Sequence, residues 1–149
     1  MSTLISKQYA MYDLAKFPSI KKEENGKVVK EIQLIACPQT TGEPFFVTQE
    51  CYPANPDSPE LSLEELTAKA ISHPYSEVII LFYGAVRVSV DGVLYEVPDN
   101  GAFIAKAGCK YAFQFKDRTV DHASYTIFVP QIAPDDDPDY VRLIQLTRE

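Results

Sequence analysis

The sequence predicts an all-β domain, built as an antiparallel sandwich or barrel with one short helix near residues 62–70. Three observations carry this expectation. The second half is a succession of short β-branched and aromatic runs, turn residues separate the runs every few positions, and no helical stretch intervenes. A parallel α/β sheet would need a crossover helix between successive strands, and none is patterned here. No repeat of fixed length is visible, which disfavours a propeller or a solenoid.

Taken in order, the first third is the least regular. Lys27 to Ile35 alternates after the turn signal Asn25-Gly26, so residues 1–35 read as an N-terminal strand or hairpin arm. Pro44-Phe45-Phe46-Val47-Thr48 is a second apolar run. It leads into a Pro-, Asn- and Asp-rich loop from Tyr52 to Pro59, where side-chain bonding and fixed φ favour turns. Ser62 with Glu65 three residues on forms a capping-box pattern, and Leu63, Leu66 and Ala70 recur at helical spacing.

Strands are then expected over Glu77 to Tyr83, Ala85 to Val90, Val93 to Val97, Ala102 to Lys106, Tyr111 to Phe115 and Tyr125 to Val129. Gly84, Asp91-Gly92, Asp99-Asn100-Gly101, Ala107-Gly108 and Lys116-Asp117 are the breaks between them. Residues 130–149 read as an acidic loop around Asp135-Asp136-Asp137 followed by a final strand over Val141 to Leu146.

Composition bounds the partners. A chain of 149 residues suits one domain, 1–149, with enough length for a real core, and 46% hydrophobic with 23% charged residues is globular composition. The net charge of −7 lacks the basic footprint that phosphate backbones require, so no nucleic acid is expected. The apolar run Val78 to Tyr83 falls far short of the ~20 residues that span a bilayer, and no basic segment leads into an apolar run at the start. Neither membrane insertion nor export is therefore expected. Cys37, Cys51 and Cys109 are odd in number and widely spaced, which fits neither a disulfide framework nor a zinc knuckle and suits a reducing cytoplasm. Cys109 reads as a structural thiol rather than a nucleophile.

The spacing of particular residues adds a resemblance. His73 is followed by three residues and Glu77, then by six residues and Gly84. This resembles the first motif of the cupin superfamily, His-x-His, three or four residues, Glu, six residues, Gly, with Ile71 standing where the first His belongs. The stretch from Asn100 to Phe115 is similar to the second motif, Gly-x5-Pro-x-Gly-x2-His-x3-Asn. Gly108 matches there, while Asn100, Lys106, Tyr111 and Phe115 replace the first Gly, the Pro, the His and the Asn. The resemblance covers residues 71–115 and implies an antiparallel cupin-type β-barrel, or jelly roll.

In metal-binding members the resemblance implies three His and one Glu. This chain has two histidines, His73 and His122, so that set cannot form within one chain. A reduced set of His73, Glu77 and Tyr111, joined by His122, would offer imidazole, carboxylate and phenolate to a weakly held divalent metal. No metal is the favoured expectation, and the cofactor is otherwise unknown.

Two residues four apart share a face of a strand, and a barrel sets distant strands opposite one another, so Tyr111 is expected to meet His73 and Glu77 across the lumen. The reading that follows is a small-molecule-binding barrel with a polar pocket of His73, Glu77 and Tyr111, and with His122, Tyr75, Tyr83 and Phe113 as further ligand contacts. Tyr95, Phe103 and Phe115 extend the aromatic wall, and Lys106 and Lys110 flank the second motif. One alternative is a cupin enzyme of isomerase, epimerase or lyase type, metal-independent or weakly metal-dependent, in which His73 and Glu77 act as acid and base and Tyr111 donates to an oxyanion. Another is a ligand-free structural or regulatory dimer domain. A homodimer is expected in any case, through a sheet edge or the N-terminal hairpin.

Overall fold

The structure, a computed structural model, describes residues 3–5, 10–12, 18–74, 77–129 and 138–147, with the side chains of 3–5, 10–12, 77–79, 81 and 129 outside that description. Strands β1 (Thr3–Ile5) and β2 (Ala10–Tyr12) pair only with each other, as a short antiparallel ribbon. Strands β3 (Ser19–Glu24) and β4 (Lys27–Ala36) form the expected hairpin. Asn25 and Gly26 take φ of 52° and 78° between them, the pair of positive values that suits the right-handed twist of a two-residue turn. A single helical turn, α1 (Pro38–Thr41), opens on Pro38 and stops at Gly42, whose φ is 75°. Strand β5 (Phe46–Tyr52) follows.

Helix α2 (Leu63–Ala68) begins at Ser62, whose hydroxyl accepts the Glu65 N–H at 3.1 Å while the Glu65 carboxylate accepts the Ser62 N–H at 3.1 Å. The capping box read from sequence is thus formed. Strands β6 (Glu77–Tyr83), β7 (Val86–Val90), β8 (Val93–Val97), β9 (Ala102–Lys106), β10 (Tyr111–Phe115) and β11 (His122–Val129) come next, and helix α3 (Pro138–Leu146) last. Glycines 84, 92 and 108 all lie between strands at positive φ.

Two sheets enclose the core. The larger runs β3-β4-β5-β11-β6-β9 and the smaller β10-β7-β8, with antiparallel pairing throughout. Alternation sends Ile32, Leu34, Phe46, Ile80, Phe82 and Phe128 inward from the large sheet, and Val86, Val88 and Phe115 inward from the small one. Phe82 meets Phe113 across the gap with ring centroids 4.9 Å apart.

Two expectations are corrected. Val141 to Leu146 is helix rather than a final strand, because Tyr140, Leu143 and Ile144 recur at spacings of three and four and are all buried by one helical face. The helix near 62–70 has two helical companions, α1 and α3. The β3–β4 hairpin forms one edge of the large sheet, with β4 between β3 and β5 and with Ile32 and Leu34 fully buried. The acidic run 135–137 lies outside the described residues. Among the described residues no helix is long and apolar enough to cross a membrane.

Candidate functional site

A cavity of about 440 Å3 opens among β4, β5, β10, β11, α2 and α3. His73 and Tyr111 both line it, and the chain brings them together locally. Ile71 and Tyr111 exchange two backbone hydrogen bonds of 3.0 Å, and the Gly108 N–H donates to the His73 carbonyl at 3.0 Å. Segment 71–73 therefore runs antiparallel beside the start of β10, which sets the His73 ring 6.0 Å from the Tyr111 ring and 6.3 Å from that of Phe128. The expected meeting across the lumen is corrected accordingly. His73 precedes β6 and stands next to Tyr111, because the bridge to β10 captures it.

Of the other predicted residues that the structure describes, Phe113 shares this cavity and His122 and Tyr83 do not. Glu77 begins β6, its backbone opposite Lys106 and Val129, and its side chain lies outside the described residues, as does all of Tyr75. Phe113 lines the main cavity and also a smaller one of about 170 Å3. His122 lines only the smaller cavity, beside Arg118 and Val120. Its ring stacks on Phe115 with centroids 4.4 Å apart, and its nitrogens face the carbonyls of Asp117 and, at 3.3 Å, Tyr83. Tyr83 belongs to neither cavity: Ile80 and Phe82 of its strand are buried, whereas Tyr83 is 50% exposed and packs on Tyr125. Tyr95, 53% exposed on β8, is likewise no wall of the main cavity, and Lys106 and Lys110 are exposed. Burial and the nearby Asp91 charge push the Cys109 thiol up, away from the thiolate a nucleophile needs.

Sequence reasoning missed the most polar part of the cavity. Glu50, 5% exposed, projects inward from β5 and is met by three donors. Lys30 Nζ lies 3.2 Å from Oε1, the Tyr140 hydroxyl donates to the same oxygen at 3.1 Å, and the Tyr52 hydroxyl donates to Oε2 at 3.0 Å. Register explains the convergence. Ile32 of β4 pairs with Glu50, so Lys30 falls two residues further along the same inner face, with its ammonium 5.8 Å from the centre of the Tyr52 ring. Burial, reinforced by the Glu50 charge, pushes the Tyr52 phenol well above its ordinary value, so it serves as a neutral donor. A second anion at about 4 Å from an isolated Glu50 would meet about 4 kcal/mol of repulsion at an effective dielectric constant of about 20, which Lys30 at 3.2 Å and the cavity-lining Lys22 and Lys69 counter. Lys22 and Asp139, 2.9 Å apart, form a second ion pair at the rim, joining β3 to α3. The missed signal was periodicity, since Thr48, Glu50 and Tyr52 continue the face begun by Phe46, and Lys30 shares that of Ile32 and Leu34.

A three-histidine iron site does not fit these residues. The chain has two histidines, the structure assigns them to different cavities, and among the described residues no three His, Cys, Asp or Glu side chains gather.

No protein-family model matches the sequence, and no curated protein matches it significantly. Solved structures do resemble the fold. An iron(II) form of HppE superposes with a TM-score of 0.62 at 8% identity, over 85% of this chain and 64% of that one. Hydroxypropylphosphonic acid epoxidase from S. wedmorenis gives 0.57 at 9%, over 85% and 62%. The EutQ protein of Salmonella typhimurium LT2 gives 0.57 at 9%, over 87% and 93%. This chain thus spans less than two thirds of the first two proteins. All three structures have the cupin fold, and identities this low bear on architecture alone. The chain is an all-β protein with the cupin-type jelly-roll barrel fold.

Proposed function

We propose that this chain is a small-molecule-binding barrel whose ligand occupies the cavity of about 440 Å3. One observation carries the reading: His73, Tyr111 and the Lys30–Glu50 pair surround open space beside the apolar core of the barrel. Burying such groups costs free energy, and a concave site with a few convergent polar groups on apolar walls is the usual form of a ligand pocket. Native mass spectrometry of the freshly purified protein, followed by a thermal-shift screen of metabolites, tests this. A ligand at about 100 times its Kd adds about 2.7 kcal/mol, enough to raise the Tm by several degrees. A co-crystal should then place it against Tyr111 and Phe113. If nothing co-purifies and nothing raises the Tm, or if the ligand lies elsewhere, the reading fails.

The contact between His73 and Tyr111 favours one second reading, a metal-independent isomerase, epimerase or lyase. The imidazole would move a proton and the phenol would donate to a developing oxyanion. Glu77 is the third member of this proposed set. Incubating a recovered ligand with wild type and with His73→Ala, and following its conversion by NMR, decides between the two. Conversion by wild type alone indicates an enzyme, and an unchanged ligand indicates a binder.

A further inference from the structure

Resting on the binding reading, we propose that the cavity takes a small, uncharged, polyhydroxylated molecule, held through its hydroxyls by Glu50, Tyr52 and Thr126. The class follows from what the wall offers and what it already holds. Glu50 carries about four lone-pair positions, of which Lys30, Tyr140 and Tyr52 engage three. The remaining one accepts a hydroxyl. Tyr52 gives its proton to Glu50 and keeps lone pairs to accept with. Thr126, 3% exposed and lining the cavity, both donates and accepts. Across the strand pair from it, the Thr48 hydroxyl is buried without a hydrogen-bond partner, next to the cavity lining though not part of it.

Charged ligands fit less well. A carboxylate or phosphate that took the Glu50 position of the ligand would meet a carboxylate there, and would have to draw Lys30 or Lys22 from Glu50 or Asp139, leaving only Lys69 of the lining lysines outside these two pairs. An ammonium could reach the remaining lone pair of Glu50 only beside the Lys30 ammonium, whose like charge would oppose it. A polyol meets neither obstacle. Its hydroxyls match groups that both donate and accept, and its C–H faces can lie against Phe113, Phe128 and Ile80.

Titration calorimetry of the full chain tests this with erythritol, xylitol and D-glucose as probes, D-gluconate as an anionic polyol, and hexanoate and hexylamine as charged comparators without hydroxyls. The expected result is saturable binding of at least one uncharged polyol, weaker binding of D-gluconate and none of the comparators. Glu50→Gln should weaken polyol affinity about tenfold through loss of a charged acceptor, and Thr126→Val about threefold. Thr126→Val keeps the side-chain shape and leaves the Lys30–Glu50 pair in place, so it remains decisive if Glu50→Gln folds poorly. Failure of all the uncharged polyols to bind, or wild-type affinity in Thr126→Val, overturns the proposal. If hexanoate, hexylamine or a retained ligand without hydroxyls binds in the cavity instead, the polyol class falls while the binding reading stands. If native mass spectrometry and the metabolite screen find no ligand either, both fall.

Discussion

Gly84 meets two constraints at one residue. Its φ is 117°, which L side chains rarely adopt, and a Cβ there would overlap the His122 imidazole, while its N–H donates to Asp99 Oδ1 at 2.6 Å. Gly84→Ala is therefore expected to lower stability by about 2–4 kcal/mol, from backbone strain plus displacement of the ring, as read from urea unfolding midpoints. Asp117, whose own carbonyl faces His122, provides a pH-dependent counterpart. The Thr119 hydroxyl at 2.6 Å and backbone N–H at 2.9 Å donate to it and hold its carboxyl below the ordinary 3.8, with His122 adding to the effect. A depressed folded-state value means that its contribution is fully present above 3.8 and is lost as pH falls through the lower folded value. The stability gap between wild type and Asp117→Asn should therefore be steady at neutral pH and close below about pH 4, which urea midpoints across an acid series will show.

Two helices, small beside the sheets, fix the edges of the cavity. Helix α2 is docked by the Thr67 and Ser89 hydroxyls, 2.8 Å apart, and its first turn depends on the reciprocal bonds of Ser62 and Glu65. Ser62→Ala should cost about 1 kcal/mol by loss of the cap, measured in the same unfolding assay. Helix α3 contributes both packing and polarity. Tyr140 meets Phe46 and Phe128 with ring centroids 5.5 and 5.1 Å apart while its hydroxyl reaches Glu50, and Leu143 is fully buried one turn on. Leu143→Ala should destabilise by about 2–5 kcal/mol, the range for deleting a buried Leu side chain. A surface strand in its place would predict a change within about 0.5 kcal/mol.

At the scale of the molecule, the barrel closes on apolar packing between two antiparallel sheets, and no described side-chain cluster requires a cation to hold it shut. Its two histidines are spent separately, one beside Tyr111 and the other stacked on Phe115. Treatment with EDTA is expected to leave both the Tm and the far-UV circular dichroism spectrum unchanged, in contrast to folds whose metal supplies the folding energy. A drop of several degrees would show that the chain carries a structural cation.

Local sequence was sufficient for the repeating parts of this fold. Strands β6, β8, β9 and β10 occupy the residues where β-branched and aromatic runs fall between turn signals, the Asn25-Gly26 and Asp91-Gly92 turns take positive φ at both positions, and Ser62 caps α2. Each depends on residues within a few positions of one another, so short-range sterics and hydrogen bonding suffice. The count of two histidines also excludes a three-histidine centre within one copy of this sequence. The run over 141–146 is a short apolar stretch that fits a strand as well as a helix, and burial of Tyr140, Leu143 and Ile144 on one face resolves it. The cavity depended on tertiary structure throughout. His73 reaches Tyr111 through the Ile71 bridge, and Lys30, Glu50 and Tyr140 come from β4, β5 and α3. Their meeting follows from the register of Ile32 with Glu50 and from the closure of one sheet over the other, long-range choices set by collective burial rather than by any local preference of the chain.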